Sequence, residues 1–151
     1  MNIILFDYSR ENLLPFTFMR PVAGIRCGIL TLSEKWEFLS QQKVSFLTEE
    51  YLSKKFPLLS SNENILIAGD VIATESLWNE IQSLKPNEKL IFGSRIIAAK
   101  VSTEISSGSN IEELTAKSEI RTPVSIGAKS EIVRIEFPWH IFSNNDFAIR
   151  E

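Results

Sequence analysis

Short apolar runs separated by segments of helical period organise this chain. Ile3-Ile4-Leu5-Phe6 is too brief for a helix and lacks polar alternation, so it predicts a strand buried on both faces over residues 2–6. Thr31-Leu32-Ser33-Glu34 has the capping-box pattern, and Leu32, Trp36 and Leu39 follow at helical spacing, predicting a helix that ends near Ser40. Val44, Phe46 and Leu47 predict a second strand, and Thr48 a cap for a brief helix carrying Tyr51, Leu52 and Phe56 before Pro57 stops it. A third apolar run, Ile65-Leu66-Ile67-Ala68, ends in Gly69-Asp70. Thr74 then caps a helix with Leu77, Ile81 and Leu84 on one face, and Pro86 terminates it.

Lys89 to Val101 predicts two strands hinged at Gly93-Ser94. Residues 102–131 change character: Ser106-Ser107-Gly108-Ser109-Asn110 reads as a loop, and Asn110-Ile111-Glu112-Glu113 as a capped turn of helix. Glu131 to Phe137 alternates Ile132, Arg134 and Glu136 with Val133, Ile135 and Phe137, which predicts a return to the sheet. Pro138 opens a last helix, Trp139 to Ile149, with Trp139, Phe142 and Ile149 near one stripe. Trp36, Trp78 and Trp139 are accordingly expected to pack in the core. The succession of strands and helices predicts an α/β fold with a mainly parallel sheet and room for an antiparallel edge.

A length of 151 residues predicts one domain, 1–151. Net charge −3 and pI 5.3 lack the basic footprint of a nucleic-acid binder. Cys27 is the only cysteine, which excludes an internal disulfide or a multi-thiolate metal site and fits a reducing compartment; its expected role is that of a small buried apolar residue. There is no basic leader and no apolar stretch of membrane-spanning length, so the expectation is a cytoplasmic protein without membrane partners.

Asp7 ends the first strand and feeds a loop carrying Arg10, Arg20 and Arg26. Ligands of open α/β sheets bind beyond the carboxyl ends of strands, and guanidinium groups grip phosphate through forked, charge-assisted bonds. That places Asp7, Arg10, Arg20 and Arg26 among candidate binding residues. A rigid connector with its arginines tied to neighbouring carboxylates fits the same segment. Gly24 and Gly28 would let the backbone approach a ligand closely. His140, the sole histidine, reads as a partly exposed helix residue, and Lys35 lies within the first helix.

The opening Asn2-Ile3-Ile4-Leu5-Phe6-Asp7, the loop from Arg10 to Phe18, Arg20-Pro21-Val22-Ala23, Ile25-Arg26, Gly28-Ile29-Leu30-Thr31 and the closing residues Trp139 to Ile149 carry a resemblance. Together they resemble the amino-terminal domain of bacterial sugar nucleotidyltransferase-like proteins, relatives of the uridyltransferase half of the bifunctional N-acetylglucosamine-1-phosphate enzyme. The likeness implies a Rossmann-like nucleotidyltransferase domain, a three-layer α/β sandwich, that joins a sugar 1-phosphate to a nucleoside triphosphate with release of pyrophosphate, using Mg²⁺. Gly69-Asp70 resembles the family's Gly-Asp pair, which implies Asp70 as metal ligand and, with Arg20, as a catalytic residue; Gly69 and Gly28 join the substrate-binding set. The terminal helix, 138–150, would lead to a left-handed β-helix of hexapeptide repeats, and a homo-oligomer is equally compatible.

One departure opens a second reading. The wider superfamily carries Gly-x-Gly-Thr-Arg-Met-x-Pro after the first strand, where this chain has Tyr8-Ser9-Arg10-Glu11-Asn12-Leu13-Leu14-Pro15. Without small residues, main-chain N–H groups do not readily wrap a triphosphate. Either the arginine loop takes over phosphate binding, or the domain is catalytically degenerate and binds a sugar nucleotide or packs beside an acyltransferase-type β-helix. A receiver module is excluded by the missing acidic cluster after the first strand, and a flavodoxin-like module by the missing Ser/Thr/Gly phosphate loop.

Overall fold

Asn2–Phe6 (β1) is the inner parallel strand around which the sheet is built. In the computed structural model, which describes residues 1–8, 10–121 and 132–150, Val44–Leu47 (β4) and Asn64–Ala68 (β5) flank it in parallel, with Ile3 opposite Val44 on one side and Ile65 on the other. Between β1 and β4 come a two-stranded ribbon, Arg26–Cys27 (β2) with Leu30–Thr31 (β3), and the helix Leu32–Ser40 (α1). The helix Glu75–Gln82 (α2) follows β5, then the hairpin Glu88–Phe92 (β6) and Arg95–Val101 (β7), turned at Gly93, whose φ is +66°. A single turn, Ile111–Leu114 (α3), and the short strand Glu119–Arg121 (β8) precede the closing helices Pro138–Ser143 (α4) and Asn145–Arg150 (α5).

The six-stranded order is β4-β1-β5-β7-β6-β8. Only β7 runs against the others, so the sheet is mainly parallel, and the antiparallel strand lies inside it rather than at an edge. Ile3 to Phe6 and Asn64 to Ala68 are buried at successive positions, as strands covered on both faces must be. From α1 and α2, Trp36 and Trp78 pack edge to face on this core, 6.4 Å between ring centres, and Trp36 Nε1 donates to the carbonyl of Val71 at 3.2 Å. A smaller cluster, including Leu13, Val22, Cys27, Ile135 and Ala148, sits under the loops and the closing helices.

The Thr31 capping box forms as the pattern predicts, with the side chains of Thr31 and Glu34 each accepting the other's backbone N–H. Thr74 caps α2 and Asn110 caps α3. Four expectations are corrected. Thr48 caps no helix, because its hydroxyl donates to the Asp7 carboxylate; the predicted helix reduces to a 3₁₀ turn, Glu50–Leu52. The stretch 132–137 is no sheet strand: it pairs with the loop after β5 through the single bridge Val71–Arg134, and the Glu131 end of that prediction lies outside the described residues. The closing helix is two helices, parted at Asn144, which leaves the helical conformation at φ −103° and ψ 6° and whose backbone N–H and side-chain amide both donate to the His140 carbonyl. Trp139 is exposed rather than core, and Phe142 and Ile149 of the same stripe are exposed with it; Ala148 is the buried residue of α5.

This packing separates the tryptophans. Trp36→Ala is expected to lower unfolding stability by about 3–5 kcal/mol through cavity formation, whereas Trp139→Ala, 61% exposed, stacked on Phe137 and edge-on to His140, is expected to cost less than about 1 kcal/mol. Urea denaturation of the two variants measures both values.

Candidate functional site

β1 is joined to β4 on one side and the chain then crosses to β5 on the other, so the direction of winding reverses between β1 and β5. Ligands of open α/β sheets bind beyond the carboxyl ends of strands at such a reversal. Asp7 stands there as the hub of the first loop. Its Oδ1 accepts the Val22 N–H at 2.9 Å, and its Oδ2 accepts from the Thr48 hydroxyl and from Arg10 Nη1 at 3.3 Å. Burial pushes the Asp7 carboxyl above its usual range, against the downward pull of these three partners.

Arg10 organises the loop in turn. Its guanidinium donates to the carbonyls of Thr17 and Arg20 and to the Tyr51 hydroxyl, which itself donates to the Phe18 carbonyl at 2.7 Å. Two clefts flank Asp7. One, of about 530 Å³, is lined by residues including Thr48, Glu49, Glu50, Ser109 and Asn110; the other, of about 470 Å³, by residues including Arg10, Leu14, Phe18 and Tyr51. Arg20 is exposed, and its guanidinium makes no hydrogen bond or ion pair among the described residues.

Gly69 and Asp70 lie beside Asp7, since the Gly69 N–H donates to the Phe6 carbonyl at 2.8 Å. A Cβ at Gly69 would stand 3.1 Å from that oxygen and 3.2 Å from Ala23 Cβ, so this glycine seats the 22–24 turn against the strand ends. Asp70 is wholly buried. Arg134 holds it through Nε to Oδ2 at 3.1 Å and through Nη2 to Oδ1 at 3.0 Å and to Oδ2 at 2.8 Å. Burial pushes the Asp70 carboxyl up to about 6; Arg134 pulls it down, and the nearby Glu136 carboxylate adds to the rise.

Arg26 and Gly28 belong elsewhere. Arg26 donates to the Ile29 carbonyl within the β2–β3 ribbon, and Gly28, at φ +76°, donates its N–H to Asn145 Oδ1 and abuts Ala148. The close approach expected of Gly28 is thus to α5. Lys35, buried on α1, donates to the Ala148 carbonyl, and His140 Nδ1 accepts the N–H of Glu136 at 3.1 Å. Cys27 is buried and in no disulfide.

Tyr8, Arg95, Arg134 and Glu136 escape the sequence reading, yet they gather at this edge. The guanidinium carbons of Arg95 and Arg134 lie 5.3 and 5.1 Å from the centre of the Tyr8 ring, and Arg95 Nη1 bonds Glu136 Oε1 at 2.7 Å. Their signal was Arg134 and Glu136 as the polar positions of an otherwise apolar alternation. Among the described residues, no group of three or more His, Cys, Asp and Glu is arranged to hold a metal ion, and none of the helices is long and apolar enough to cross a membrane. With both oxygens of Asp70 engaged by a guanidinium, the residues present do not fit a resident Mg²⁺.

A polar cleft at the winding reversal of an open α/β sheet is where such folds bind their ligands. The sequence matches the family model described as sugar nucleotidyl transferase over residues 3–151, and the chain belongs to that family. Among curated proteins, none matches it.

The buried pair has a pH signature. Because the folded-state pKa of Asp70 is raised from 3.8 to about 6, the native protein binds this proton more tightly than the unfolded chain. The resulting stability is full below the unfolded pKa and is lost as pH rises through about 6. Relative to Asp70→Asn, the wild-type chain is expected to lose up to about 3 kcal/mol between about pH 4 and pH 7. Urea denaturation across that range tests this; a relative stability that climbs with pH contradicts it.

Proposed function

We propose that this domain binds a sugar nucleotide, or the nucleoside triphosphate and sugar 1-phosphate from which one is made, and does so without Mg²⁺-dependent turnover. Family membership supports the ligand class. The observation that carries the loss of turnover is Asp70: the carboxylate at the position expected to hold the metal is wholly buried and bound through both oxygens by Arg134. Nucleotidyl transfer brings a sugar-phosphate oxygen onto an α-phosphorus while pyrophosphate leaves, so charge must be screened between two polyanions. The departures from the glycine-rich loop point the same way, since Asp7, Arg10 and Thr48 build the first loop out of side chains. The ligand lies at the carboxyl edge of β1 and β5, beside the clefts at Asp7.

The second reading is a sugar-1-phosphate nucleotidyltransferase with Asp70 and Arg20 as catalytic residues, favoured by a family match over nearly the whole chain. Two assays separate them. Uridine or thymidine triphosphates and their sugar nucleotides, at millimolar levels, are expected to raise Tm with or without Mg²⁺, by about 2–4 °C per kcal/mol of linked binding. No pyrophosphate release is expected from a panel of triphosphates and sugar 1-phosphates. Absence of any Tm shift overturns the binding reading, and pyrophosphate release that disappears in Asp70→Asn establishes the transferase instead.

A further inference from the structure

Two aromatic side chains that the fold leaves in solvent line one of the clefts at Asp7. Phe18 is 67% exposed and Tyr51 64%, and they reach the cleft of about 470 Å³ from segments 33 positions apart. That volume falls in the range of small-molecule sites, about 300–1,000 Å³. The polar lining is Asp7, Arg10, Glu11 and Glu49.

An exposed tyrosine is ordinarily free to turn, but this one is held at its hydroxyl. Arg10 Nη2 donates to it at 2.6 Å, it donates to the Phe18 carbonyl at 2.7 Å, and the Arg10 guanidinium carbon lies 5.7 Å from the ring centre. The bond to Phe18 ties the two aromatic segments to each other. The ring of Tyr51 is therefore placed before a ligand arrives, and less rotamer freedom is lost on binding.

The polar lining disfavours phosphate. Arg10 is the one cation in it among the described residues, and its guanidinium is spent on Asp7, on the carbonyls of Thr17 and Arg20 and on Tyr51. Glu11 and Glu49 are exposed, and their carboxylates make no hydrogen bond or ion pair among the described residues. An ionised carboxylate only accepts hydrogen bonds, so the cleft offers acceptors and negative charge beside apolar ring faces. A polyphosphate meets like charge there, and a uracil or thymine ring brings a single N–H donor. A pyranose brings several hydroxyl donors around an apolar C–H face, which complements carboxylates set beside aromatic rings.

We propose that Phe18 and Tyr51 wall a pyranose subsite, in which an aromatic face carries the C–H face of the sugar and Glu11 and Glu49 accept its hydroxyls. That the sugar arrives within a sugar nucleotide or as a sugar 1-phosphate rests on the function proposed above. Its phosphoryl groups then stay outside the carboxylate-lined cleft.

Saturation-transfer NMR on the whole chain tests the subsite. The probes are uridine and thymidine diphosphate glucose, the two nucleoside diphosphates, and the methyl glycosides of glucose and N-acetylglucosamine, each at millimolar concentration. Pyranose protons are expected to receive the transfer, and Phe18→Ala and Glu11→Gln are each expected to cut it by at least about threefold. Phe38→Ala, an exposed aromatic on α1, is expected to change nothing. Pyranose protons that stay silent with every probe overturn the subsite, as does transfer undiminished in Phe18→Ala or in Glu11→Gln, or an equal loss in Phe38→Ala. Transfer to base protons that disappears in Phe18→Ala while the pyranose signal persists gives the cleft to the base and overturns it too. Nucleotides that bind regardless of these substitutions overturn the subsite and leave the proposed function standing. Methyl glycosides that follow the expected pattern while no nucleotide binds do the reverse.

Discussion

Asp70 ends the strand β5 region with no solvent exposure, and a carboxylate so placed must be neutral or paired. Arg134 pairs it, and much of the carboxyl edge then follows. To bring its guanidinium to Asp70, the chain around Arg134 runs antiparallel to the residues after β5, with the Ile72 N–H donating to the Val133 carbonyl and the Ile135 N–H to the Asp70 carbonyl. That pairing buries Ile135 in the smaller core beside Leu13, Val22 and Ala148. It also sets Glu136 where it reaches Arg95 and lays Arg134 on Tyr8. Removing either partner would leave an uncompensated charge in the interior, so the two residues constrain each other strongly.

The loop after β1 obeys a related logic. A glycine-rich loop presents main-chain N–H groups to a ligand, whereas here the side chains of Asp7, Arg10 and Thr17 bond the chain itself. Asp7 takes the Val22 N–H and the Thr48 hydroxyl, and Arg10 satisfies the carbonyls of Thr17 and Arg20. The loop is therefore held by side-chain bonding, while Arg95 and Arg134 pair with carboxylates on the other flank of the strand reversal.

Much of this fold is legible from local pattern. The runs at Ile3 and Ile65 are strands because continuous apolar residues suit a position covered on both faces, and Thr31 and Thr74 cap helices because their hydroxyls meet free N–H groups within three residues. What escapes is what depends on distant partners. Thr48 has the chemistry of a cap, yet Asp7, 41 positions away, claims its hydroxyl. Residues 132–137 alternate like a strand, yet Arg134 is drawn to a buried carboxylate 64 positions earlier, and the segment pairs with a loop. The final helix has apolar residues at helical spacing, and the chain still leaves the helical conformation at Asn144. In the site, Asp7, Arg10, Gly69 and Asp70 are gathered at the strand ends as the sequence suggests. Arg26 and Gly28 follow the ribbon instead, and Arg95 is placed by antiparallel register that no local motif announces.

The central claim is that the Asp70 carboxyl belongs to Arg134 and not to a metal. Carbon-13 NMR titration of the Asp70 carboxyl carbon, with and without millimolar Mg²⁺, tests it directly. The account predicts a midpoint near 6 that Mg²⁺ leaves in place. A midpoint well below the ordinary aspartate range that moves further down when Mg²⁺ is added would contradict it.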